Sequence, residues 1–154
     1  MRRRLAAAAT ALVILGVVAL ALSLVDSTRD SRSLTRSAYL KRVSAVCRRA
    51  GERLDQIPPI QDPTLLGDVL ASVNAALPIL TDQRDRVRML VPPVALRREV
   101  NRFFVLTDRS IEILQSVRAA ALKMNVGEVA MGLERFGTAT IEAKSVARLI
   151  GYRC

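Results

Sequence analysis

The chain has 154 residues and carries 24 basic against 14 acidic side chains, for a formal net charge of +10. It contains no histidine and no tryptophan, with only two tyrosines and three phenylalanines. The lack of histidine excludes the commonest general base and the commonest metal ligand of enzyme sites. A core with so few aromatic residues must consist of Leu, Val, Ile and Ala, and this composition favours packed helices over a sheet.

The first predicted element is an apolar run over residues 5–25, which begins at Leu5, ends at Val25 and contains no charge and no proline. As a helix it would be about 31 Å long, enough to span the hydrocarbon core of a bilayer. Three arginines precede it, so the positive-inside rule places the N-terminus in the cytoplasm and the rest of the chain outside. The alternative is a signal peptide that is cleaved near residues 21–23. Both interpretations export the remainder of the chain.

A polar linker over residues 26–36 precedes the predicted extracytoplasmic domain, residues 37–154. Helices are predicted at residues 37–57, 62–91, 94–124 and 125–150 from the spacing of their apolar residues. Proline pairs follow the first and second helices, and Gly151 is expected to end the fourth. The expected fold is all-α: an N-terminal transmembrane helix followed by an up-down-up-down four-helix bundle closed by one disulfide.

Two helix starts carry specific signals. Asp62 followed by Pro63 predicts the start of the second helix, and Asn125 with Glu128 predicts an N-cap for the fourth. Pro78 lies inside the second helix, where it removes one backbone hydrogen bond and is expected to bend the helix around the core. A hinge, or a freed Asn74 carbonyl that binds a ligand, is the alternative.

The two cysteines, Cys47 and Cys154, can pair in only one way within the chain, and an oxidising compartment favours the disulfide. Closing a loop of about 107 residues would contribute up to about 4.7 kcal/mol to stability. In a plain bundle the two cysteines would differ in height by about 25 Å at 1.5 Å per residue. The pairing therefore predicts an extended segment at residues 58–60, lying on the bundle, and a chain reversal after Gly151.

Six arginines flank the predicted turn between the second and third helices. They are Arg84, Arg86, Arg88, Arg97, Arg98 and Arg102, with Asp82, Asp85 and Glu99 as partial compensation. The bundle topology places this turn next to the membrane. The arginines are expected to form a solvated polar face, and contact with anionic headgroups is the alternative.

No motif for catalysis or cofactor binding occurs in the sequence. There is no glycine-rich phosphate loop, no Gly-x-Ser-x-Gly and no Cys-x-x-Cys. Most acidic residues lie within one helical turn of an arginine, and surface ion pairs account for them. We therefore expect no enzymatic activity, no cofactor and no metal. Export also argues against nucleic acid as a partner, despite the positive charge.

Several features occur together along nearly the whole chain. They are an arginine-led apolar run, Tyr39 and then Cys47 on the first helix, Ile57-Pro58-Pro59, a second Pro92-Pro93, and an ending Leu149-Ile150-Gly151-Tyr152-Arg153-Cys154. The arrangement resembles the small, largely uncharacterised membrane-anchored or secreted helical proteins of high-GC actinobacteria. The resemblance implies a cell-envelope location and a disulfide between distant cysteines, but no activity and no site residues. The lipobox cysteine of many such proteins is missing here.

The expected function is that of an extracytoplasmic interaction or scaffolding module of the cell envelope. Its partners would be the membrane, through residues 5–25, and an envelope protein. The expected location is the cell membrane with a single pass, or the exterior if the anchor is cleaved. The alternative function is a carrier of a small apolar or lipidic ligand between the helices, which an aliphatic core and a bend at Pro78 would permit.

Overall fold

Four α-helices and one short 3-10 helix form the part of the chain that the computed structural model describes, Leu34–Cys154. They are α1 (Arg36–Leu54), α2 (Leu66–Arg88), the 3-10 helix Val94–Leu96, α3 (Arg97–Leu122) and α4 (Val126–Ile150). The prediction of an all-α, four-helix domain is confirmed. The predicted anchor at residues 5–25 and most of the predicted linker lie outside the described residues. None of the described helices is long and apolar enough to cross a membrane.

The fourth helix begins and ends where its sequence signals predict. The Asn125 side chain accepts a hydrogen bond from the backbone N–H of Glu128 at 3.2 Å, so Asn125 is the N-cap. At the other end Gly151 adopts a left-handed conformation with φ of 97°. The N–H of Tyr152 donates to the Ala147 carbonyl, and the N–H of Gly151 donates to Arg148, which together form a Schellman motif. This motif turns the chain back toward α1.

The second helix begins later than the sequence predicts. Asp62 Oδ1 accepts hydrogen bonds from the backbone N–H of Thr64 at 2.8 Å and from its hydroxyl at 2.7 Å. These bonds close a local turn, and α2 starts only at Leu66. A short acidic side chain that bonds to the backbone two residues on competes with the helix, which is why the cap signal was misplaced. The same hydrogen bonds lower the pKa of Asp62.

Proline has different effects in α2 and in the turn that follows it. α2 continues through Pro78 from Leu66 to Arg88, and Pro78 itself is exposed. The predicted third helix divides into two parts, since the 3-10 helix occupies Val94–Leu96 and the α-helix begins at Arg97. Pro93, with φ of −55°, is the N-cap of the 3-10 helix, so the second proline pair sets the conformation of this turn.

One half of the bundle is built around an aromatic and aliphatic cluster that draws on all four helices. We call it the proximal cluster because Leu34, where the described chain begins, packs against it. Its buried members are Tyr39, Val43, Cys47, Val87, Leu96, Val100, Phe103, Val146, Ala147, Ile150 and Tyr152. They come from the first two thirds of α1, the end of α2, the 3-10 helix, the start of α3, the end of α4 and the segment after α4. The helices therefore alternate in direction, as predicted.

The other half contains a purely aliphatic set of buried residues, which we call the distal cluster. Its buried members are Leu66, Val69, Val73, Leu114, Val117, Ala120, Ala121 and Val129, from α2, α3 and α4 only. Ile60 packs against this cluster, and the Ser72 hydroxyl donates to the Pro58 carbonyl at 3.2 Å. Residues 58–60 are non-helical and lie on the bundle. The prediction that residues 58–60 lie on the bundle is confirmed.

The disulfide between Cys47 and Cys154 is formed, with Cα atoms 4.8 Å apart. Cys47 is buried in the middle of α1, and the chain reversal at Gly151 carries Cys154 to it. The N–H of Arg153 donates to the Ser44 hydroxyl at 3.2 Å, and the Gln83 amide donates to Cys47 Sγ at 3.4 Å. The last four residues thus fasten the end of α4 to α1.

Candidate functional site

The six arginines singled out in the sequence lie on both sides of one turn, at residues 89–93. Arg84, Arg86 and Arg88 belong to the last turns of α2, and Arg97, Arg98 and Arg102 belong to the first turns of α3. Leu90 of this turn packs against the proximal cluster, as does Leu34. The arginines are therefore at the end of the domain where the described chain begins.

Two arginines of α2 share one carboxylate of α3. Arg84 Nη1 lies 3.2 Å from Asp108 Oδ1, and Arg88 Nη2 lies 2.8 Å from Asp108 Oδ2. Arg84 also donates through Nε to Asp85 at 2.8 Å, and this bond raises the pKa of Arg84. The guanidinium of Arg88 stacks 5.0 Å above the Phe104 ring. These contacts hold α2 against α3, and no pattern in the sequence singles out Asp108.

Arg86 is paired along its own helix. Its Nε lies 2.8 Å from Asp82 Oδ1, one helical turn earlier, and Arg53 of α1 approaches the same carboxylate at 3.6 Å. The α2 arginines are thus largely neutralised by Asp82, Asp85 and Asp108. Because these pairs are exposed or only half-buried, each adds little to stability.

The three arginines of α3 have a different environment. Arg97, Arg98 and Arg102 are exposed and make no ion pair and no side-chain hydrogen bond with another residue of Leu34–Cys154. Arg97 and Arg98 occupy the first turn of α3, where the helix dipole already carries partial positive charge. Arginine at that place opposes helix stability by about 0.3 to 1 kcal/mol. Helix formation therefore does not explain these residues.

Charge is divided unequally between the two halves of the domain. We define the proximal half as residues 34–47, 82–105 and 141–154, and the distal half as residues 48–81 and 106–140. The proximal half has twelve basic and four acidic side chains, and the distal half has seven basic and eight acidic side chains. The net charge is therefore +8 in the proximal half, which carries the predicted cluster, and −1 in the distal half.

The turn also exposes large apolar side chains, which the sequence interpretation missed. Met89 is 75% exposed, Val91 48% and Val94 72%. A turn between two helix termini that are both rich in arginine is expected to be polar. The apolar residues Met89, Val91 and Val94 on either side of the proline pair could therefore have indicated an exposed apolar surface from the sequence alone. The turn is therefore an apolar tip with a basic rim formed by Arg97, Arg98 and Arg102.

Two shallow grooves, of about 320 Å³ and about 390 Å³, open on the surface of the described residues. The first lies between α3 and α4 and is lined largely by Arg109, Glu134, Arg135 and Glu142. The second runs beside the apolar tip, over Leu90, Pro92, Val100 and Phe104, with Arg88 and Asp108 along one side.

The two tyrosines of the chain meet in the proximal cluster. Their hydroxyls are 2.7 Å apart, and Phe103 packs edge-on against Tyr152 with ring centroids 5.3 Å apart. Burial raises the pKa of Tyr152, and the hydrogen bond between the two hydroxyls adds to that rise; burial also raises the pKa of Tyr39. Both hydroxyls satisfy each other inside the core, so the pair stabilises the fold and offers no reactive group.

No group of three or more metal-ligating side chains occurs within the described part of the chain. Comparisons of the chain with protein-family models, with curated proteins and with solved structures find no significant match. The basic end of the bundle, with its apolar tip, is therefore the candidate site that the geometry itself defines.

Proposed function

We propose that the protein is a single-pass, membrane-anchored module of the cell envelope, whose extracytoplasmic bundle stands with its proximal end toward the bilayer. The anchor in this proposal is the apolar run at residues 5–25. The bundle, held by its own two clusters and its disulfide, presents its remaining surface to an envelope protein. The cell-envelope location also agrees with the resemblance to actinobacterial helical proteins.

The observation that carries this proposal is the coincidence of two features at one end. The described chain starts at the proximal end, and the same end holds most of the positive charge. Eight residues separate Val25 from Leu34, and a fully extended chain of that length reaches at most about 29 Å. α3, the longest helix of the bundle, has 26 residues and is about 39 Å long, so it exceeds the reach of this linker. In this proposal the proximal end is therefore the end nearer the lipid headgroups.

A non-enzymatic role is part of the proposal. The α2 arginines of the basic end pair with carboxylates, the α3 arginines are exposed, and the two tyrosine hydroxyls are buried against each other. The grooves on this surface are shallow. The alternative, a carrier of an apolar ligand, receives less support because the space between the helices is filled by two clusters of packed side chains. A carrier needs a mostly apolar pocket that encloses its ligand.

The first test is the intact mass of full-length protein purified from cells and alkylated without reductant. An uncleaved chain without alkyl adducts supports an anchored protein with an oxidised disulfide outside the cytoplasm. Loss of about the first 23 residues at the predicted cleavage site would replace the anchored module with a secreted one. Two adducts would place the domain in a reducing compartment and overturn the proposal.

The second test separates the scaffold from the carrier. Crosslinking in intact cells, followed by purification, should give one discrete protein adduct if the bundle binds an envelope partner. Native mass spectrometry of uncrosslinked protein should then show the mass of the chain alone. A co-purifying lipid of defined mass, without a protein adduct, would favour the carrier.

A further inference from the structure

We infer that the turn at residues 89–93, together with Val94, inserts into the surface of a bilayer that contains anionic phospholipid. This inference rests on the proposed function, since it gives the anchored bundle a second and separate contact with the same membrane. The turn and Val94 would contact the headgroups and the upper part of the acyl chains. The tip would thus fix the orientation of the bundle on the membrane.

The exposed side chains of the tip are of the kind that enters a bilayer interface. Met89, Val91 and Val94 project from the very end of the helical pair, and all three are about half exposed or more. Water contact with such side chains is unfavourable, and no described residue covers them. An apolar patch rimmed by polar residues is typical of a membrane or protein contact.

The basic rim decides between these two partners in favour of lipid. Arg97, Arg98 and Arg102 have no acidic partner among the described residues, and they lie just behind the apolar tip along α3. Arginines next to inserted apolar side chains match the layered chemistry of an anionic bilayer, with phosphate outside and hydrocarbon beneath. A protein partner would need an apolar surface bordered by acidic groups to match the tip and its rim.

The backbone of the tip is restricted before any contact with a membrane. Leu90 packs into the proximal cluster, while Met89 and Val91 on either side of it are exposed. Pro92 and Pro93 restrict the backbone that follows, and the 3-10 helix begins directly after them. Ordering this turn on a membrane therefore requires little further loss of conformational freedom.

The chain contains no tryptophan, so one introduced tryptophan reports its own position. We would compare Met89→Trp with Met124→Trp in the full chain. Met124 is also a methionine, is equally exposed at 75%, and lies in the helix-to-helix turn at the opposite end of the bundle. Both variants would be reconstituted into vesicles of phosphatidylcholine alone, or with one third phosphatidylglycerol, with and without brominated acyl chains.

The expected result is a blue-shifted emission and quenching by brominated lipid for Met89→Trp in the anionic vesicles, with neither change for Met124→Trp. Quenching should decrease in neutral vesicles and at high salt, because arginine contacts with headgroups are screened. Equal quenching of the two variants in anionic vesicles, or quenching of neither, would overturn the inference.

Two triple variants test the rim. Arg97→Gln, Arg98→Gln and Arg102→Gln in the Met89→Trp background should reduce quenching to the level found in neutral vesicles. The control removes the same charge from the distal half through Arg109→Gln, Lys123→Gln and Arg135→Gln, and should retain quenching. If both sets have the same effect, net charge alone attracts the domain and the tip has no specific role.

Failure of the proposed function is distinguishable in the same samples. An anchored full chain floats with neutral vesicles at high salt, whatever the tip does. If it does not float, the anchor is wrong, and quenching of Met89→Trp at low salt on anionic vesicles still decides the question of the tip. If it floats without quenching, the anchor stands and the tip inference is wrong.

Discussion

The two halves of the bundle are stabilised in different ways. The proximal half joins four helices with residues far apart in sequence, and its contacts include a disulfide, a tyrosine pair and an edge-on aromatic contact. The distal half joins three consecutive helices through aliphatic side chains. The proximal half therefore depends on closing a very long loop, whereas the distal half depends on close packing between chain neighbours.

The largest expected effect is loss of the disulfide. In Cys47→Ala/Cys154→Ala, we expect the free energy of unfolding to fall by about 2 to 5 kcal/mol, because the unfolded chain regains the freedom of a loop of about 107 residues. Hydrogen exchange should show that amides of residues 151–154 and of α1 lose protection first. The amides of α2 and α3 around the distal cluster should lose protection only with global unfolding.

The wild-type protein in oxidised form is the control for that measurement. If exchange accelerates equally in both halves of the variant, the halves unfold as one unit and the comparison fails. If the distal half loses protection first, the order of stability is the reverse of the one argued here.

A substitution in the tightly packed distal half should have the next largest effect. A Cβ at Gly132 of α4 would lie 2.5 Å from Cγ2 of Val117, which is buried and β-branched and so has little room to move. We expect Gly132→Ala to lower the free energy of unfolding by about 1 to 3 kcal/mol through overpacking. Urea denaturation of the variant and the wild type measures this difference in the free energy of unfolding.

Gly137, on the same helix, is the matched control. A Cβ there would meet nothing within 4 Å, and the position is exposed. Gly137→Ala should therefore raise the free energy of unfolding by about 0.5 to 1 kcal/mol, as expected for alanine in a helix interior. If both substitutions stabilise the protein, α3 and α4 can separate at no cost and the distal half is not tightly packed.

The tyrosine pair is the corresponding test in the proximal half. Tyr39→Phe or Tyr152→Phe leaves the other hydroxyl buried without a partner, and we expect each to cost about 1 to 2 kcal/mol. The double variant should cost less than the sum, because it removes both groups. A double-mutant cycle from urea denaturation measures the coupling. Strictly additive losses would contradict the hydrogen bond.

The same pair predicts a loss of stability at alkaline pH. Burial raises the pKa of both tyrosines above the value of about 10 found in unfolded chains. The folded state therefore retains protons that the unfolded state releases, and this stability is fully present below pH of about 10 and is lost above it. Tyrosinate absorbance should appear together with loss of helical circular dichroism. Titration of either tyrosine near its ordinary pKa with the helices intact would contradict the buried pair.

Local signals in the sequence predicted the elements that depend on neighbouring residues. The proline pairs separated the first three helices, and Asn125 and Gly151 marked α4 to the residue. The predicted start of α2 was wrong because the Asp62 side chain accepts hydrogen bonds from Thr64 in a local turn and does not cap the helix. The disulfide was predictable because two cysteines leave one pairing, and its geometry in turn required the path of residues 58–60.

Contacts between remote positions were not predictable from the same signals. The tyrosine hydroxyls belong to residues separated by 113 positions, and helical periodicity contains no information about such a pair. Asp108 lies between Arg84 and Arg88 only because α2 and α3 pack at that height. The arginine cluster lies at the end of the bundle where the described chain begins, but its division into paired and unpaired arginines depends on side-chain geometry. The apolar tip required knowing which residues the core leaves exposed.

The smallest expected effect concerns the Schellman turn, which occurs at both ends of the bundle. α3 ends as α4 does, with the N–H of Asn125 donating to Ala120 and that of Met124 donating to Ala121. The left-handed position is occupied by Gly151 at the proximal end but by Met124, with φ of 58°, at the distal end. A side chain there is disfavoured by about 1 to 2 kcal/mol, of which the greater freedom of unfolded glycine offsets part.

We therefore expect Met124→Gly to raise the free energy of unfolding by about 0.5 to 1 kcal/mol, measured by urea denaturation. Lys123 is the control because it is the adjacent residue, is also exposed and has φ of −88°, where glycine brings only additional unfolded-state entropy. Lys123→Gly should lower stability by a similar amount. If the two substitutions change stability in the same direction, the left-handed residue does not strain the distal turn. The two helix ends would then differ in sequence without differing in energy.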